Sequence, residues 1–121
     1  MQSTGADRNA ILAAQARAAF NALYLVSGAA AQLGAHGLQI EDGQWHALAQ
    51  AARDANAALH AHAQTHADSD AIAAFRRLSM LCDRLLEDRA TGHASPSVVW
   101  RDLARAGRDA YEQFEIGRAH V

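Results

Sequence analysis

From Arg8 onward the chain reads as a succession of helical stripes. Leu12, Ala16, Ala19, Leu23, Val26, Ala30 and Leu33 recur at alternating four- and three-residue steps, which holds one seam on one helix face. Ile11 and Phe20 widen that stripe, and Gly34, His36 and Gly37 end it, with Gly34 or Gly37 available as a left-handed C-cap. The seven residues before Arg8 are polar and predict a disordered N-terminus.

A second stripe opens at Glu41 or Asp42 and runs through Trp45, Leu48, Ala52, Ala55, Leu59, His62 and His66. Asp68-Ser69-Asp70 supplies a short turn and a new N-cap, so the second and third helices are expected to be antiparallel neighbours. The third stripe is Ile72, Phe75, Leu78, Cys82, Leu85 and Leu86, broadened by Leu81, with Met80 off its centre. After the loop at Thr91-Gly92-His93-Ala94, Ser95-Pro96 predicts a helix start, Ser as cap and Pro at the first position. The fourth helix is expected to bury Trp100, Leu103, Gly107, Ala110 and Phe114, with Arg105/Asp109 and Arg108/Glu112 paired on its outside.

The spacing thus predicts helices near 8–34, 42–66, 69–90 and 96–115. Joined by short loops, they make an all-α, antiparallel up-down-up-down four-helix bundle with Ala-rich seams, one domain over 8–114.

Composition sharpens this picture. Of 121 residues 31 are Ala and seven aromatic, with one Pro and eight Gly, which argues against a collagen-like chain or a β-sandwich. Alanine buries little apolar area, so the core is expected to rely on close helix approach more than on bulky side chains. The formal net charge is −2 and all eleven basic residues are Arg, so no domain-wide basic excess favours nucleic acid. The Ala and Arg usage suggests a GC-rich bacterial genome. The lone cysteine, Cys82, excludes an intramolecular disulfide, fits a reducing cytoplasm and reads as an inert core thiol.

Residues 18–35 lack charge, and Ser27-Gly28-Ala29-Ala30-Ala31 resembles a signal-peptidase site. The seam nevertheless continues across that point, and Asn21 interrupts the apolar run, which favours a core helix over a secretory signal or a membrane span. The last seven residues, Glu115 to Val121, back-translate as GAG ATC GGA AGA GCA CAC GTC. That string resembles the start of a widely used short-read sequencing adapter. The expectation is that 115–121 is an artefact and the native chain truncated, so no role is given to Arg118 or His120.

Three functional readings follow. The first is a non-enzymatic helical interaction module that self-associates or binds a protein partner, without cofactor, with Met80 and Tyr111 as contact residues. It rests on the Ala-lined seams and on the lack of a phosphate loop, a cysteine pair or a nucleophile elbow. The second rests on Arg53-Asp54-Ala55-Asn56-Ala57-Ala58-Leu59-His60, whose Arg and His are two turns apart. This segment resembles the Arg-x(4–6)-His motif of HEPN-type ribonucleases, themselves small helical bundles; the resemblance covers eight residues. It implies a site formed across a dimer, with His60 as acid/base and Arg53 on the scissile phosphate. The third is a metal-binding bundle. His62 and His66 are four apart on a helix, a spacing that lets two imidazoles share one metal, and Asp70 could add a carboxylate. Against this reading, histidines at a helix C-terminus also serve its unpaired carbonyls. His36, His46 and His93 are expected at the opposite end of the bundle, on three different elements whose spacing the sequence does not fix.

Overall fold

The computed structural model describes residues 4–63 and 70–119, with side chains over 14–61 and 70–113. Four helices make it up: α1 (Thr4–Ala35), α2 (Asp42–Ala63), α3 (Asp70–Ala90) and α4 (Ser97–Ala119). Each packs on its two neighbours in the order α1, α2, α3, α4 and back to α1, while the diagonal α1–α3 contact is slight. This is the antiparallel up-down-up-down bundle that the stripes predict. α1 begins at Thr4, four residues ahead of the expected start, and α4 runs on to Ala119.

Local chemistry sets the helix ends. Gly37, at φ +70°, takes the left-handed position after α1. Leu38 N–H reaches back to Leu33 C=O at 2.9 Å and Gly37 N–H to Gly34 C=O at 3.1 Å, the paired bonds of a Schellman motif. Gly92, at φ +80°, closes α3 the same way, with His93 N–H on Asp88 C=O at 2.7 Å and Gly92 N–H on Arg89 C=O at 3.1 Å. Glu41 caps α2: Gln44 folds back so that its Oε1 accepts from Glu41 N–H at 3.1 Å, half of a capping box. At α4 the expected Ser95 cap is replaced by a tether, for the Ser95 hydroxyl donates to Asp88 on α3 at 2.9 Å. Pro96 still opens the first turn, its carbonyl accepting from Val99 N–H.

The core is built around Phe20 and Leu23 from α1, Leu48 from α2, Ile72, Phe75, Leu78 and Leu85 from α3, and Leu103 from α4. Phe75 meets Phe20 edge-on, ring centroids 5.5 Å apart, the geometry aromatic quadrupoles favour. Gly34 is not the C-cap. It lies inside α1 against Trp100, and a Cβ there would lie 2.5 Å from ring atoms Cγ and Cε2.

Two serines are buried. Ser27 donates to Tyr24 C=O at 3.3 Å within α1. Ser79 crosses between helices: its hydroxyl donates to Asn56 Oδ1 on α2 at 2.6 Å, and Asn56 Nδ2 donates to Asp83 at 3.2 Å. Asn56→Ala removes the acceptor on α2 that the Ser79 hydroxyl uses. A loss of ~1–2 kcal/mol is expected in urea unfolding, discounted because the hydroxyl can turn to a carbonyl of its own helix. An unchanged urea midpoint would show that the bridge contributes nothing.

Candidate functional site

The catalytic residues implied by the ribonuclease resemblance, Arg53 and His60, both lie exposed on α2. Arg53 donates to Gln50 Oε1 at 2.8 Å, and Gln50 in turn donates to Asp54, so its guanidinium is part of a local surface chain. Neither residue lines any of the clefts described below. In a clean preparation Arg53→Ala is expected to leave background RNA cleavage unchanged, as followed on a fluorescent oligoribonucleotide. Loss of cleavage in that variant would establish the nuclease reading instead.

Of the expected metal ligands, Asp70 opens α3 and is exposed, while His66 and the His62 side chain lie outside the described residues. Among the described residues no group of three His, Cys, Asp or Glu side chains is placed to hold a metal ion. His36 Nδ1 pairs with Gln32 C=O at 2.8 Å and His93 Nδ1 with Thr91 Oγ1 at 2.8 Å, so the first ring serves the last turn of α1 and the second its own loop.

Cys82 is buried, and desolvation, helped by the Asp83 charge, pushes its thiol from 9.0 to about 12. The thiolate needed of a nucleophile is therefore disfavoured. Because the folded value lies above the unfolded one, the associated stability is whole below pH 9.0 and is lost as pH rises towards about 12. The unfolding free energy of the wild type is expected to fall more steeply above pH 9.0 than that of Cys82→Ala. Parallel curves for the two proteins would contradict this.

Two surfaces remain. At the end carrying loops 36–41 and 91–96, Trp45 and Trp100 meet at 5.9 Å and Arg89 lies 5.1 Å over the Trp45 ring. Clefts of about 400 and 300 Å³ flank this cluster. Its cation is already engaged, since Arg89 also donates to Asp42 at 2.7 Å. Sequence reasoning missed the cluster because Arg89 belongs to no apolar stripe.

The second surface is a groove between α1 and α4. Two adjoining open clefts of about 410 and 400 Å³ share Gly28, Ala104 and Arg108. The floor is made of small residues, Ser27, Gly28 and Ala31 from α1 with Ala104 and Gly107 from α4. The sequence suggests that such residues bring helices together. They do so at Gly107, where Tyr24 lies over the glycine, but beside Gly28 they leave an open channel. Leu25, 69% exposed, lines one end, where Tyr24 stacks on the 42%-exposed Tyr111 at 5.2 Å. Arg101, Arg105 and Arg108 line the α4 side, and no carboxylate lines either cleft. The expected Arg105/Asp109 and Arg108/Glu112 pairs do not form among the described residues. Met80 is exposed but lines neither cleft.

Comparison with known protein families, curated proteins and solved structures finds no significant match. Among the described residues no helix is long and apolar enough to cross a membrane.

Proposed function

We propose that this protein is a non-enzymatic helical interaction module of the cytoplasm, which receives one helix of a protein partner in the α1–α4 groove. The groove itself is the observation that carries the reading. A floor of Ser27, Gly28, Ala31, Ala104 and Gly107 admits another helix closely, and exposed Leu25, with the Tyr24 ring that stacks on Tyr111, offers a larger apolar contact at one end. The helices around it are held by a core of large side chains on the inner faces, so the outer groove is free to bind without unfolding the bundle. The protonated, buried Cys82 and the separate engagement of His36 and His93 support a binding role over a catalytic one. A chain with a single, buried cysteine and hence no internal disulfide fits a cytoplasmic setting.

Gly28 provides the test. A Cβ there meets nothing within 4 Å, so a substituted side chain leaves the backbone into open groove space. An amphipathic helical peptide with a Leu/Ala seam and glutamine elsewhere is expected to bind the wild type, and Gly28→Trp is expected to abolish that binding. Equal binding by both proteins would remove the groove from the account.

A further inference from the structure

The walls of the groove differ in charge, and that difference specifies its partner. The α1 wall is neutral: residues 18–35 contain no Asp, Glu, Lys or Arg. The α4 wall carries Arg101, Arg105 and Arg108 at intervals of four and three residues, one stripe about 10 Å long. In a chain of net charge −2, this lining has three guanidinium groups and no carboxylate. Nor has any of the three a carboxylate partner among the described residues, although Asp109 and Glu112 lie within one turn on α4.

Building on the helix-docking reading, we infer that the partner is an acidic amphipathic helix: an Ala/Leu seam for the small-residue floor, flanked on one side by carboxylates at i, i+4 and i+7. Guanidinium groups match carboxylates in shape as well as charge, and each pair draws strength from the apolar floor beside it. The same stripe disfavours a second copy of this chain. A two-fold dimer places one patch on itself, and these patches would bring arginines against arginines. Nucleic acid fits less well, because the floor is apolar and a phosphate backbone has nothing to place on it.

Two peptides of about 20 residues, identical along the Leu/Ala seam and carrying either Glu or Lys at the flanking positions, make the probe. Binding to the full chain is read by fluorescence anisotropy. The acidic peptide is expected to bind roughly tenfold or more tighter than the basic one, and its affinity to fall as salt rises from ~50 to ~500 mM. The triple variant Arg101→Glu, Arg105→Glu, Arg108→Glu is expected to reverse the preference; all three side chains are exposed, so the fold should tolerate the change. Gly28→Trp is expected to prevent binding of either peptide. Equal affinity for the two peptides, with both lost in Gly28→Trp, would overturn the acidic partner while leaving helix docking intact. Self-association that Gly28→Trp abolishes, without peptide binding, would replace the acidic helix by a second copy. A single-stranded oligonucleotide of equal charge binding as tightly as the acidic peptide would overturn it in favour of a polyanion site. Binding of neither peptide, with no self-association, would defeat both readings.

Discussion

Gly34→Ala is expected to destabilise the bundle by roughly 1–3 kcal/mol, the range for overpacking a close contact. On an exposed helix the same substitution gains up to about 1 kcal/mol of helix propensity, so the sign of the effect is the informative part. At Gly34 the new methyl group runs into the body of the Trp100 indole, not into the end of a flexible chain. Trp100 is itself 6% exposed and packed against Trp45, so it has little room to withdraw. Gly28→Ala, facing open space, is expected to move the urea midpoint the other way. The penalty at Gly34 should largely vanish in a Trp100→Leu background. Equal losses in both backgrounds would mean that the indole is not the obstacle.

Phe75→Ala is expected to have the largest effect of any single truncation, about 3–5 kcal/mol. Phe75 is fully buried on α3 and its edge contact with Phe20 joins two diagonal helices. The α1–α3 diagonal is packed far more sparsely than the neighbouring helix pairs, so other side chains are poorly placed to fill the space. For a domain of this size the loss corresponds to a fall in Tm of roughly 10–25 °C. Met80→Ala, on the same helix but exposed, should stay within about 0.5 kcal/mol of the wild type. Similar Tm values for the two variants would place the core elsewhere.

The contrast between Phe75 and Met80 was legible in the sequence, because α3 alternates large apolar and charged residues with few alanines. On α1 the pattern was less informative. Alanine is compatible with either face: Ala30 and Ala31 are buried, whereas Ala22 and Ala29 are exposed. The buried line of α1 runs through Ala16, Phe20, Leu23, Ser27 and Ala30, so a serine occupies a core position. Val26, on the expected seam, is only partly buried. Hydropathy alone cannot show that Ser27 satisfies its hydroxyl on its own helix, or that Ser79 finds Asn56 across 23 residues of chain. The two glycines at the end of α1 were equally ambiguous: whether Gly34 or Gly37 takes the left-handed turn depends on where Trp100 packs, which is a tertiary fact. Small residues likewise announce that helices can come close without saying where. Gly34 and Gly107 meet aromatic rings, and Gly28 meets open space. The groove exists because of that difference, and its arginine wall shows only once the outward pairs on α4 are found unformed.

Amide NMR shifts recorded while the acidic helical peptide is titrated into the wild-type protein test the docking surface most directly. The account predicts that the perturbed amides trace 24–35 on α1 and 101–111 on α4, leaving α2 and the Trp45 end unchanged. Shifts centred on α2, on the α2–α3 face or around Trp45 and Arg89 would contradict it.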